Sequence, residues 1–470
     1  MPAAAAKIKS ASIQFWILAV FLTILFLTGG TSRGDAHSLV VVRPLSMVFC
    51  AIALLTFKRE HIAGRTWLLG SFACILLTSI IHLIPLPPSV WQAYQGRGLS
   101  AEVDRLADLG KVWRPLTITA ANGWHALASL ITPLGLLLLG VQLTKNDLYR
   151  LLPLLLSLGG ISGLLGVLQI MSDPQGPLYL YAITNNGLAI GFFANRNHTG
   201  VFLACLFPML SVYASTNAGT VVQQRLRKLV AIAAGIVLVP LILVTGSRAG
   251  MLMALPALFA AAILYCKPAA GELVRRSGPH LSLGFGRAVA AMVLVSMVLL
   301  TVFFSRAEAW DRLMENSSIQ DVRTDYWQIG LQMIWAYFPF GSGIGSFVEV
   351  YQVNEPLNYL ENKYVNHMHN DWLEIPFAAG LPAVVILFLA IVSYVFHSWN
   401  IWRRKDRSRH AVKIARLASV LIAIIALASG TDYPLRTPIM MAVFALACLW
   451  FTLPALAEKN EMTEHGEHRL

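Results

Sequence analysis

Charge is scarce in this sequence: Asp, Glu, Lys and Arg make up 13% of its 470 residues, while 56% are hydrophobic. Soluble globular chains carry about 25% charged residues, so half that share over such a length points to a lipid solvent. Cysteine is scarce too. Cys50, Cys74, Cys205, Cys266 and Cys448 lie in or at the ends of apolar runs, without metal-ligand spacing. They read as small buried hydrophobes rather than a disulfide framework. Low-complexity tracts and internal repeats are absent, and so is a basic stripe on a soluble domain. The net charge of +12 therefore does not indicate a nucleic-acid partner. The basic residues instead sit in short clusters between apolar runs, as membrane topology determinants do.

What the sequence has in quantity is long apolar runs. A spanning helix needs about 20 mostly apolar residues, and runs occur near 13–30, 40–57, 66–85, 123–143, 150–171, 197–215, 229–246, 249–266, 287–305, 376–397, 413–430 and 438–455. They predict an all-α integral membrane protein with about a dozen transmembrane helices. The first run follows Lys7 and Lys9 and lacks a small-x-small cleavage site, so it is expected to remain as a first span. Lys58, Arg59 and Arg65 form one short basic connection, and Arg225, Arg227 and Lys228 a second. Lys267, Arg275 and Arg276 mark a third; Arg403, Arg404, Lys405, Arg407 and Arg409 mark a fourth. With a cytoplasmic N-terminus all four fall inside, and both termini are cytoplasmic.

The expected organisation is helices and short loops over 1–305, a long partly helical outer loop over 306–375, three further spans over 376–457, and a disordered cytoplasmic tail over 458–470. A first outer segment, Leu86 to Asn122, contains a possible short helix at Val103–Leu109. The long outer loop contains an amphipathic helix, Val322–Phe338, with Tyr326, Ile329, Met333 and Tyr337 on one face and Trp327, Leu331 and Ile334 on another. Such a helix is expected on the membrane surface or over the bundle. Long loops with secondary structure of their own are usually functional.

Polar chemistry concentrates in Asn366-His367-Met368-His369-Asn370-Asp371-Trp372-Leu373-Glu374, directly before a span. Although His-x-His-x-Asp spacing can hold a metal, no second His pair occurs in the outer loops, so no metal is expected. Asn370 or Asp371 can cap the helix that follows. Capping does not need the imidazole of His369, whose ordinary pKa suits proton exchange near neutrality. His369 could thus take a proton from an attacking hydroxyl, with Asp371 or Glu374 orienting or stabilising the ring.

Arginines stand at outer helix ends. Arg248 lies in the tight turn Thr245-Gly246-Ser247-Arg248-Ala249-Gly250, where it either snorkels to water or grips an anion beside small residues. Arg323 opens the amphipathic helix and either pairs locally with Asp321 or Asp325 or joins the anion site. Arg196, in Phe193-Ala194-Asn195-Arg196-Asn197-His198, enters another span. Asp432 and Arg436 share a short outer turn and are expected to pair locally. Gly341-Ser342-Gly343-Ile344-Gly345-Ser346 is not a dinucleotide fingerprint, because it follows a surface helix rather than a strand; it is expected to be a flexible turn. Several outer arginines beside a histidine suit a pyrophosphate with a nearby base, as in transfer from lipid-linked sugars.

These residues give the sequence a resemblance to the O-antigen ligase and polymerase superfamily of bacterial envelope glycosyltransferases. The ligase signature is His-Asn, nine residues, then Gly-x-x-Gly/Thr/Tyr; here His369-Asn370 and Gly380-Leu381-Pro382 match, and Ala383 departs at the last position. The Ser247-Arg248-Ala249-Gly250 turn, the Arg323 helix and the Pro339-to-Gly345 stretch also look like family landmarks, and the resemblance runs mainly from Gly191 to Ala383. It implies a GT-C-like fold in the bacterial inner membrane and metal-independent, cofactor-free, inverting transfer at the periplasmic face. The donor would be an undecaprenyl-pyrophosphate-linked glycan, and the acceptor lipid A-core or another glycan. Arg248 and Arg323 would hold the donor pyrophosphate, with Arg196 as a further phosphate contact, and His369 would activate the acceptor. The Ala383 departure leaves ligase and polymerase both open. A transporter is the competing class, but transporters place polar sites near the midplane, and these spans are nearly free of mid-helix charge. A non-catalytic scaffold would tolerate substitution of the arginines and the histidine.

Overall fold

The computed structural model describes residues 10–216, 220–265, 318–357, 360, 364–404 and 410–454, with only the backbone described at 318–326. Away from water every backbone amide and carbonyl must be paired within the protein, and the apolar runs satisfy this as helices. In chain order these are α1 (Ile13–Thr28), α2 (Leu39–Leu55), α3 (Thr66–Ile81), the short α4 (Pro88–Trp91) and α5 (Gly98–Leu106), α6 (Ala120–Ser129) running on into α7 (Ile131–Gly140), and α8 (Lys145–Ile170). Then come α9 (Arg196–Ala214), α10 (Val221–Val244), α11 (Arg248–Leu264), α12 (Ser318–Tyr337), α13 (Phe347–Asn354), α14 (Asp371–Arg403), α15 (His410–Ala428) and α16 (Pro438–Phe451). Among the described residues six helices, counting Ala120–Gly140 as one, are long and apolar enough to cross a membrane, and five shorter apolar helices accompany them. The chain is a multi-pass membrane protein. The expected span near 287–305, the basic cluster Lys267, Arg275 and Arg276, and the tail over 458–470 lie outside the described residues.

Burial sorts the helices into inner and outer. In α9, 83% of the most apolar window is buried inside the protein and in α15 72%, against 28% in α10 and 17% in α14. Thus α9 and α15 lie in the interior, with α16 and α7 buried beside them, and α10 and α14 turn apolar side chains outward. Helices α9 and α11 run side by side in the same direction at glycine-to-glycine distance: a Cβ on Gly200 would lie 2.8 Å from the Gly250 Cα. That contact sets the first residues of the two helices level with each other.

Helix α14 is broken at Gly380 (φ 57°, ψ −149°), between Pro376 and Pro382. The break frees carbonyls that a continuous helix would use. Ser342 N–H donates to the Phe377 carbonyl at 2.9 Å, Gly343 N–H to Ala378 at 2.9 Å, and Leu381 N–H to Pro339 at 2.7 Å. The glycine-rich stretch is a turn, as expected, but a tightly packed one rather than a flexible one. Gly343 has φ 101° and sits where a Cβ would fall 2.0 Å from the Thr117 Cα. Its neighbours Ser342 and Ser346 are fully buried.

The same turn joins the two outer segments. Ile118 N–H donates to the Ser342 carbonyl at 3.1 Å, and the Thr117 hydroxyl donates to the Ile344 carbonyl at 2.8 Å. Strands β1 (Pro85–Leu86) and β2 (Arg114–Pro115) close the base of the first segment, and its short helix is α5. The expected amphipathic helix is α12, which lies over the bundle: Ile329, Met333, Ile334 and Tyr337 pack with Phe347, Met368 and Phe377.

Candidate active site

Helices α9, α11 and α14 begin at one end of the bundle, each behind a side-chain cap. The Asn195 Oδ1 accepts from Asn197 N–H at 2.8 Å, the Ser247 Oγ from Gly250 N–H at 2.9 Å, and the Asn370 Oδ1 from Trp372 N–H at 3.0 Å. Asn370 is thus the cap left open between it and Asp371. The loop delivering α9 is pinned by buried Gln169, which donates to the Leu178 and Gly191 carbonyls and accepts from Ile190 and Gly191 N–H. Ser247 Oγ donates to Asn197 Oδ1 at 3.1 Å, Asn197 Nδ2 to Asp432 Oδ2 at 2.6 Å, and Asp371 N–H to the Ser429 carbonyl at 2.9 Å. One polar chain therefore links the three helix starts to the α15–α16 connection. Helix N-termini carry partial positive charge and orient N–H groups outward, an arrangement that favours anions.

His369 sits in this network with its backbone at φ 53°, a region non-glycine residues seldom occupy and one that recurs at functional sites. Its side chain is 25% exposed, and its Nδ1 lies 3.6 Å from Asp432 Oδ1. Tyr433 packs its ring against His369, His367 and His198, with centroids 4.9, 4.6 and 5.3 Å away. Asp432 is buried. Burial pushes its carboxyl up, but His198 and His369 facing it outweigh burial and hold it well below the ordinary carboxylate value.

The carboxylates expected to serve His369 are engaged elsewhere. Asp371 Oδ1 accepts from Arg436 Nε at 2.9 Å. Glu374 Oε1 is 3.2 Å from Arg436 Nη2 and 2.9 Å from His367 Nδ1, and its Oε2 accepts from Met368 N–H at 2.9 Å. The residue facing His369 is Asp432, and its neighbour Arg436 braces the turn from outside. The expectation that Asp432 and Arg436 pair locally is corrected: each bonds to a different helix start. The side chains of His367, His369 and Asp371 likewise address three different partners, Glu374, Asp432 and Arg436.

The arginines are placed as follows. Arg196 is the first residue of α9 and half-buried, with its N–H donating to Asn185 Oδ1 at 2.9 Å. Arg248 is the first residue of α11 and exposed. The glycine contact brings both to the same end of one helix pair. Arg323 belongs to α12, but its side chain lies outside the described residues. An arginine not singled out from the sequence, Arg33, ties the α1–α2 connection to the long outer segment. It donates to both Asp35 oxygens and, at 2.6 Å, to the Tyr364 hydroxyl, over whose ring it lies at 5.1 Å.

Comparison with curated proteins gives no match. A family model does match, over residues 232–388, and its description is O-antigen ligase. The matched stretch holds Arg248, Arg323, His369, Asn370, Asp371 and Glu374, whereas Arg196, His198, Asp432 and Arg436 lie beyond it. Through residues 232–388 the chain carries an O-antigen ligase family domain.

Proposed function

We propose that the protein is a membrane glycosyltransferase that moves an undecaprenyl-pyrophosphate-linked glycan onto an acceptor hydroxyl at the periplasmic face of the bacterial inner membrane. The observation that carries this reading is the His369 ring, partly open to solvent, backed by the buried Asp432 and set among helix starts that bear Arg196 and Arg248. Sidedness is supported by charge. Arg225, Arg227 and Lys228 lie at the far end of α10 from Ser247, and Arg403 and Arg404 at the far end of α14 from His369. Basic clusters mark the cytoplasmic side, so the site belongs to the other. The reading keeps about twelve spans and a GT-C-like arrangement.

In the reaction His369 Nε2 takes the proton of the acceptor hydroxyl while its Nδ1 faces Asp432, which stabilises the imidazolium as it forms. The hydroxyl oxygen bonds to the anomeric carbon from the side opposite the pyrophosphate. The sugar–phosphate bond breaks, and its electron pair leaves on the phosphate. Charge developing there is met by Arg248 and Arg323, with Arg196 as a further contact, and by the helix dipoles. Asp371 and Glu374, held by Arg436, fix the turn that presents His369.

Replacing His369 with Ala should abolish transfer while the protein still inserts in the membrane; retained transfer would rule the mechanism out. Lipid A-core is the acceptor on the ligase reading. The departure at Ala383 favours keeping a second reading, a polymerase whose acceptor is another glycan chain. Gel analysis of envelope glycans from a deletion strain separates them. Loss of all polymer from lipid A-core identifies a ligase, and a single attached repeat unit identifies a polymerase.

A further inference from the structure

Two imidazoles face the same oxygen of Asp432, Oδ1, and that oxygen has room for one. Oδ2 accepts from Asn197 Nδ2 at 2.6 Å, and Oδ1 accepts from Tyr433 N–H at 2.9 Å. A carboxylate oxygen offers about two lone-pair directions, so one remains on Oδ1. His369 Nδ1 stands 3.6 Å from that oxygen and His198 Nε2 3.8 Å, both beyond a normal hydrogen bond. His198 is 1% exposed, and neither of its ring nitrogens has a hydrogen-bond partner among the described residues. A buried polar group left so is costly, and its presence calls for an explanation. His198 faces Asp432 and Tyr433 from the α15–α16 connection, with His367 and His369 across the Tyr433 ring; Arg196 and Asn197 precede it on its own helix, and Asn197 bonds to Ser247, next to Arg248 at the start of α11.

We propose that His198 is a positioning residue for glycan transfer: it competes with His369 for the open lone pair on Oδ1 of Asp432, so its protonation state sets the basicity of the His369 ring. The inference rests on the reading of His369 as the base. With His198 neutral, the Asp432 charge is available to His369 and favours the imidazolium that forms during transfer. With His198 protonated, the carboxylate turns to it, and a second positive charge lowers the proton affinity of His369.

His198→Gln keeps a donor near the Nε2 position and never gains charge. In the full-length protein in membranes, the acid limb of its rate profile should move up by about one pH unit and change from a two-proton to a one-proton slope. A second readout needs no transfer: carbethoxylation of His369 by diethylpyrocarbonate, followed across pH by peptide fragmentation, should shift in the same direction. His198→Asn provides the same test if the Gln variant fails to accumulate. A uniform fall in rate with both profiles unmoved would overturn the proposal and leave His198 a packing residue. A shifted carbethoxylation curve beside an unmoved rate profile would uphold the coupling and overturn His369 as the base.

Discussion

Arg436 donates from Nε to Asp371 Oδ1 at 2.9 Å, bridging the α15–α16 connection to the first residue of α14. Its Nη2 reaches Glu374, which in turn holds His367 and the Met368 amide. The turn carrying His369 in its left-handed conformation is thus clamped by one guanidinium and two carboxylates. Arg436→Ala would leave two buried carboxylates without a cation. The expected cost is about 2–4 kcal/mol, below that of a fully enclosed pair because the guanidinium is 34% exposed. Arg436→Lys should recover only part, since one ammonium cannot span both acids in the same plane. Thermal unfolding in detergent reads both variants.

Asp432→Asn removes the charge behind His369 and should lower transfer about 10²-fold or more at neutral pH. It should also change acid stability. Because the Asp432 carboxyl is held below its ordinary value in the folded protein, it favours the fold at pH above the unfolded value of about 4. That contribution fades as pH falls through the lowered value. The wild-type melting temperature should therefore drop on the acid side more steeply than that of the Asn variant, which differential scanning at several pH values would show.

Much of this was legible in the sequence, for physical reasons. Lipid forces apolar runs into helices, so the runs at 13–30 and 197–215 became α1 and α9 with nearly the same bounds. His369 stood out because a cap does not need imidazole. Asp432 did not, since its partners Asn197 and His369 lie far away in sequence and its own nine-residue connection offers nearer ones. His198 was hidden for the same cause: one imidazole at the start of an apolar run carries no periodic signal. Asp371 and Glu374 looked like partners of His369 by spacing, but a helix start directs them toward Arg436 instead. Gly380 was visible as a signature residue, yet its break in α14 is a backbone property that composition does not reveal.

Gly380→Ala tests that break. The residue sits at φ 57°, and a Cβ there would lie 2.1 Å from the Pro339 carbonyl oxygen. Backbone strain of about 1–3 kcal/mol adds to the clash, and the hydrogen bonds from Ser342, Gly343 and Leu381 would loosen together. We expect a lower melting temperature and a loss of transfer that exceeds the loss of folded protein, because the short segment from Asp371 to Ala379 presents His369. Transfer per folded molecule, with folded protein counted by size-exclusion chromatography, is the measurement; an unchanged value would show that the break matters for stability alone.

Arg248→Lys asks whether charge alone holds the donor. Arg248 begins α11, beside Ser247 and level with Arg196 on α9, so a diphosphate placed there would meet two guanidinium groups and two helix dipoles. A guanidinium offers paired donors that match two phosphate oxygens, whereas an ammonium is a point charge on a flexible stem. If the pyrophosphate is held in a fork, Arg248→Lys should raise the donor concentration needed for half-maximal transfer by about tenfold, recovering little over Arg248→Ala. If the site supplied only a positive field, Lys would serve nearly as well and raising the ionic strength would weaken both enzymes alike. Donor titration of both variants in proteoliposomes, at low and high salt, separates the fork from the field.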